Sequence, residues 1–199
     1  NNETAAANQD LLFAFNKPNK TPEAITAAPA AVAFDFNHML SRVMFTFNNK
    51  FDEGSNMSFQ VTDVNVTNAG KVGTLAITGG VVADDWTVAD DNNNLNVDFS
   101  NATTTAADDQ DIVAIGGSAA TTHYYFIPAE RTYNVTFNIT LYQAGVKVAE
   151  YARTASFDFD LAIGNSYNIV ANLTYKNVSE DDELYPIEFT VNSVDEWDN

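Results

Sequence analysis

Thr132-Tyr-Asn-Val-Thr-Phe-Asn-Ile-Thr-Leu141 decides the fold class. Tyr133, Val135, Phe137, Ile139 and Leu141 alternate with Asn134, Thr136, Asn138 and Thr140. A period of two belongs to a β-strand with one apolar and one polar face. Gln143-Ala-Gly145 follows as a turn signal, and Val146 to Phe159 reads as the return strand of a long hairpin. Gly164-Asn-Ser166 marks another turn, after which Tyr167, Ile169, Ala171, Leu173 and Tyr175 keep one phase. A polar loop, Asn177 to Glu183, separates these from Ile187, Phe189 and Val191, and Trp197 closes the pattern.

Upstream, the expected strands are Asp10–Phe15, Ala31–Phe36, Val43–Phe47, Met57–Val66, Val72–Ile77, Val81–Val88, Leu95–Phe99, Asp111–Ile115 and His123–Ile127. Turns rich in Asx or Gly divide them, including Asn68-Ala-Gly, Gly79-Gly80 and Gly116-Gly-Ser. No window sustains the i, i+3, i+4, i+7 spacing of a helix. Many short strands with regular turns predict an all-β Greek-key sandwich with little helix.

Phe34-Asp-Phe-Asn-His-Met-Leu-Ser-Arg-Val-Met-Phe-Thr-Phe47 changes parity halfway along. Phe34, Phe36, His38 and Leu40 hold even positions; Val43, Phe45 and Phe47 hold odd ones. One strand cannot turn both sets inward, so a β-bulge or a helical turn is expected around His38 to Ser41. Lys17 to Ala31 contains Pro18, Pro22 and Pro29 and little to bury, and reads as an exposed linker open to proteolysis.

Nine Lys+Arg stand against 27 Asp+Glu, for a formal net charge of −18, across 199 residues. That balance repels phosphate backbones and anionic headgroups, so no nucleic-acid partner is expected. Cysteine is absent, which removes disulfides and thiolate metal sites. No apolar run reaches the ~18 residues of a transmembrane helix.

Catalytic chemistry finds no support. There is no Gly-x-Ser-x-Gly elbow, and His38 and His123 are the sole imidazoles. His38 shares the phase of Phe36 and Leu40 and reads as a half-buried structural residue. The acids fall in runs (Asp84-Asp85, Asp90-Asp91, Asp108 to Asp111, Glu180 to Glu183) that read as solvated loops. Their spacing lacks the Asp-x-Asp-x-Asp-Gly pattern of a calcium loop. Neither a metal nor a cofactor is expected. Several Asn-x-Ser/Thr triplets occur, including those at Asn65, Asn134, Asn138 and Asn172, and follow from strand surface patterning. Trp86, Tyr124 and Tyr142 are the aromatics to inspect for a carbohydrate- or ligand-binding face, the alternative to an assembly protein.

Four elements occur in order: Asp10-Leu-Leu-Phe-Ala before the Pro-rich linker, Phe36-Asn-His38-Met-Leu-Ser-Arg-Val43, Tyr125-Phe-Ile-Pro128, and Leu161-Ala-Ile-Gly164-Asn-Ser-Tyr167 followed by Ser193-Val-Asp-Glu-Trp197. This set resembles the fimbrillin family, in particular the Mfa-like pilins of Gram-negative anaerobes, over nearly the whole chain. The resemblance implies transthyretin-like β-sandwich lobes and export to the outer membrane as a lipoprotein precursor. It implies assembly with other pilin subunits into surface fimbriae that adhere to host or bacterial ligands. In such pilins a trypsin-like protease removes the N-terminal segment, and the vacated groove accepts a strand from the next subunit. Here Lys20-Thr21 is the expected tryptic site, since Pro18 protects Lys17. Leu11, Phe13 and Phe15 are the apolar row of the exchangeable strand. The expected organisation is one unit over 1–199, with the strand in 1–16 and the linker in 17–31. A division into two lobes near Gly116–Thr122 is the alternative. The chain is short for a two-lobe fimbrillin, and it contains no lipobox cysteine.

Overall fold

A computed structural model describes residues 9–16, 32–70, 72–89, 95–98, 102–103, 112–179 and 185–196. The strands in chain order are β1 (Leu12–Phe13), β2 (Asn37–His38), β3 (Ser41–Asn49), β4 (Met57–Ala69), β5 (Gly73–Thr74), β6 (Ile77–Thr78), β7 (Val81–Val82) and β8 (Thr87–Val88). Then come β9 (Leu95–Asp98), β10 (Ala102–Thr103), β11 (Ser118–Thr121), β12 (Tyr124–Phe126), β13 (Glu130–Gln143), β14 (Val146–Asp160), β15 (Asn165–Leu173) and β16 (Phe189–Glu196). A short helix, α1 (Tyr175–Ser179), follows β15.

The long alternating run forms β13, and the hairpin to β14 closes through Ala144 and Gly145, both with positive φ, as a tight turn between twisted strands requires. β13 also pairs with β4, giving one sheet of order β14-β13-β4-β9. The other sheet has the order β10-β11-β3-β15-β16, with β12 also on β3. β15 lies parallel to β3. Val43, Phe45 and Phe47 of β3 and Ile169, Ala171 and Leu173 of β15 point into one core with Val135, Phe137, Ile139 and Leu141 of β13. Phe47 and Phe137 meet across the two sheets at 5.1 Å, and Phe189 of β16 lies 5.6 Å from both Phe45 and Phe157. The molecule is an all-β sandwich joined by aromatic contacts.

The parity change in Phe34–Phe47 is resolved without a bulge. The chain bends at Leu40, between β2 and β3. Beyond the bend Val43, Phe45, Phe47 and Asn49 are buried, whereas Phe34 and Phe36 are each 51% exposed. Only the odd set enters the core. Ser41 Oγ donates to Ala162 O at 2.7 Å and Gly164 N to Leu40 O at 3.1 Å, which pins the bend to the connection between β14 and β15.

A second parity change, in β4, does take a bulge. Met57, Phe59 and Val61 are buried on odd positions, then Val64 and Val66 on even ones. Asp63 carries the extra step with φ 54°, and the pairing jumps from Thr62↔Asn138 to Asn65↔Thr136. Asp tolerates this left-handed conformation better than a β-branched residue. Its carboxylate accepts from Asn138 Nδ2 at 2.8 Å. Deleting Asp63 joins both apolar sets in one alternation with the rest of the pairing unchanged. The expected result is a variant that keeps its fold and loses about 1–2 kcal/mol, since the lost hydrogen bonds are partly offset by relieved strain. Circular dichroism with urea titration checks this.

Several expected strands differ. Residues 32–36 are not strand: no strand among the described residues pairs with them, and their side chains face solvent. The 72–88 region breaks into two small hairpins, β5 with β8 and β6 with β7, through the Gly79-Gly80 turn. Of the expected strand Asp111–Ile115, residues 112–115 are described, and among them Val113 alone makes a bridge, to Phe59. Helix α1 stands where the expected strand Tyr167–Tyr175 gives way to loop. Thr174 and Asn177 cap it reciprocally, with Thr174 N donating to Asn177 Oδ1 at 2.8 Å, and Val178 is fully buried. β11 runs through the Gly116–Thr122 segment and pairs with β3, and strands from both sides of it share both sheets.

Candidate strand-exchange site

The N-terminal strand lies at one end of the sandwich. Alternation in Asp10-Leu-Leu-Phe-Ala-Phe15 favours an extended chain, and β1 pairs antiparallel with β2 through Leu12↔His38 and Phe13↔Asn37. Met39 N donates to Leu11 O at 2.8 Å, adding one more rung. Asn16 Nδ2 donates to Ala33 O at 2.5 Å. Phe15 rests on Gly80, where a Cβ would come within 2.0 Å of the ring. Gly80 also has φ 89°, so this contact uses both the missing side chain and the left-handed backbone.

The apolar row is not buried as its alternation predicts. Leu11 is 46% exposed and Phe15 50%, with Phe13 half-buried. Full burial is worth ~1.5–3 kcal/mol per side chain, so half-exposed residues supply only part of that. The physical reason is that β1 meets the ribbon strand β2 and the 72–89 hairpins rather than the groove between the two main sheets. Lys20, Thr21 and the Pro-rich linker lie outside the described residues.

Polar side chains supply a contact that neither apolar pattern reveals. His38 Nδ1 lies 2.6 Å from Asp10 Oδ2, with 12% and 19% of the two side chains exposed. Both residues stand in the sequence elements quoted above, but nothing in their spacing announces that they meet. The other histidine, His123, lies between β11 and β12. Burial first, and the positive charge of Arg42 second, hold its imidazole below the ordinary histidine range.

The three aromatics considered for a ligand face come from three separate elements. Trp86, between β7 and β8, donates its indole N–H to Met39 O at 2.8 Å and packs on Gly73, so it ties the hairpins to the bend. Tyr124 packs against the edge of the core. Tyr142 stands at the far end of β13, its hydroxyl 3.3 Å from Gln60 Oε1. The asparagines of the Asn-x-Thr triplets at 65, 134, 138 and 172 are engaged in or between strands. Asn65 donates to Asp63 O, Asn134 accepts from Ser156, Asn138 donates to Asp63, and Asn172 accepts from Asn48.

Among the described residues, no group of three or more His, Asp or Glu is placed to hold a metal ion. Asp84-Asp85 lies within them; the runs at Asp90, Asp108 and Glu180 lie outside. No helix among the described residues is long and apolar enough to cross a membrane.

Comparison with known proteins gives these features a family. A search of curated proteins finds no match. Among solved structures, the chain is similar to a fimbrial protein from Bacteroides vulgatus, at 14% identity and TM-score 0.51, covering 83% of this chain and 56% of that one. It is also similar to cell-adhesion protein candidates from Parabacteroides distasonis (11% identity, TM-score 0.48, 81% of this chain and 53% of that one) and Bacteroides fragilis (16%, TM-score 0.46, 79% and 47%). The chain thus spans about half the length of these proteins. At such identities the B. vulgatus likeness is one of fold. The sequence profile of the fimbrillin-like family matches residues 1–193, and the chain belongs to that family.

Proposed function

We propose that this chain is a non-enzymatic subunit of a cell-surface fimbria, exported to the outer membrane, that assembles with other pilin subunits by β-strand exchange and contributes to adhesion. The observation that carries this reading is the family match across residues 1–193. The family is structural in character, and the B. vulgatus neighbour of the same fold is a fimbrial protein.

The N-terminal strand supports the exchange step. Its pairing with the body is short, and its apolar side chains are only half covered. A strand so attached detaches at lower cost than one threaded through the core. Among the described residues, β14 pairs with β13 alone and β16 with β15 alone, so each sheet presents an edge able to add a strand. The roles of Lys20-Thr21 as the cleavage site and of Leu11, Phe13 and Phe15 as the exchangeable row belong to this proposal.

The test is brief trypsin treatment followed by mass spectrometry and size analysis. Cleavage after Lys20, loss of the N-terminal peptide and a shift to multimers are the expected results. Trimmed protein that stays monomeric after losing the peptide would sink assembly by strand exchange.

A further inference from the structure

We propose that Asp10 and His38 form a latch that holds β1 in register on β2 and sets how readily the N-terminal strand comes away. The consequence for assembly rests on the strand-exchange reading above; the latch itself rests on geometry.

The backbone ladder between β1 and β2 comprises two residue pairs and the Met39–Leu11 bond, and the flanking Leu11, Leu12 and Phe15 are half exposed. To this thin attachment is added a close, part-buried polar contact. An ionised carboxylate only accepts, so His38 Nδ1 donates to Asp10 Oδ2 across 2.6 Å. With little of either side chain exposed, the contact is screened far less than a surface pair. The second carboxylate oxygen, Oδ1, is buried and makes no hydrogen bond to the described residues. Breaking the Oδ2 bond while the strand stays docked therefore leaves a half-buried carboxylate uncompensated, which is costly.

Register follows from the same geometry. His38 is opposite Leu12, so Asp10, two residues before Leu12, is its diagonal neighbour on one face of the ribbon. A slip of one residue moves Asp10 to the other face and separates the pair. The latch also joins two parts of different standing. His38 belongs to the chain pinned at Leu40 and Ser41 to the β14–β15 connection, whereas Asp10 belongs to the short strand. The contact ties side chains 28 positions apart in the chain.

The test is native-state hydrogen exchange at the Met39 amide, with the amides of Phe137 and Ile139 in β13 as references, in D10A, H38A, the double variant and H38N. Each single variant is expected to speed Met39 exchange about tenfold or more with the references unchanged. The double variant should exceed neither single by much, because either change alone opens the latch. H38N, whose amide reaches near the Nδ1 position, should restore part of the protection. Unchanged Met39 exchange in both singles overturns the latch. So do effects that multiply in the double variant, or equal acceleration at Phe137 and Ile139. D10A keeps the test decisive should H38A fail to fold. A latch that passes alongside trimmed protein that remains monomeric removes strand exchange and leaves the latch standing.

Discussion

Phe45→Ala is expected to lower the free energy of unfolding by about 3–5 kcal/mol, the range for truncating a fully buried aromatic. Phe45 is completely buried on β3, with edge-to-face contacts to Phe157 at 6.3 Å and Phe189 at 5.6 Å. These two rings come from β14 and β16, so the substitution removes a ring packed against both edge strands of opposite sheets, whose own Phe157–Phe189 contact at 5.6 Å is left without its support. Collapse around the void is limited, because the neighbouring β3 backbone is clamped by β15 on one side and by β11 and β12 on the other. The break between β11 and β12 adds a further restraint: Phe45 N donates to Thr121 Oγ1 at 2.9 Å. Urea denaturation followed by intrinsic fluorescence measures the loss. A change below about 1 kcal/mol would mean that this aromatic cluster does not join the sheets.

Asn49→Leu is expected to cost about 2–4 kcal/mol, although leucine fits the surrounding apolar character. Asn49 is 1% exposed at the end of β3. Its Nδ2 donates to Val113 O at 2.8 Å, and its Oδ1 accepts from Phe51 N at 3.0 Å. Val113 O keeps a bond from Phe59 N, but Phe51 N loses its acceptor in a buried setting. The neighbouring residue supplies the control. Asn48 faces outward, where its amide reaches Asn172 Oδ1 at 3.0 Å, and Asn48→Leu should change stability by less than about 1 kcal/mol. Parallel urea titrations compare the two. Equal losses would show that the Asn49 hydrogen bonds do not govern the corner where residues 112–117 join β3.

These two residues show where sequence is informative. Phe45 announces itself, since it shares the odd positions with Val43 and Phe47 and alternates with Arg42, Met44 and Thr46. Asn49 does not, because Asn48-Asn49-Lys50 reads as a polar turn and burial of one amide depends on which chain folds over it. The same holds for α1: Thr174-x-x-Asn177 is a capping pattern, but a single helical turn lacks the length for a periodic signal. Asp63 is intermediate. The switch from Phe59 and Val61 to Val64 and Val66 is written in the sequence and a bulge absorbs it, whereas the equally visible switch near Leu40, where a bulge or a helical turn is expected, is met by a bend. The two differ because β13 pairs with β4 on both sides of the switch, from Met57 to Val66, and enforces continuity. β2 and β3 pair with different partners, and the chain is free to bend between them.

The strand-exchange candidates divide the same way. Leu11, Phe13 and Phe15 are legible as the apolar row of an extended segment because local alternation needs no partner to be seen. How deeply they are buried, and that Asp10 finds His38, depend on what lies across the ribbon.

By itself the sequence determines an all-β chain, the long hairpin at Thr132–Phe159 and the family, because each rests on period-two patterning, turn residues or ordered motifs carried along the chain. Tertiary structure decides that Phe34 and Phe36 stay outside the core, that the N-terminal strand sits on β2 half exposed, and that Asp10 closes on His38. Alternation states which side chains share a face. It is silent on which face is covered, because burial is a property of two surfaces and the sequence near a residue describes only one of them.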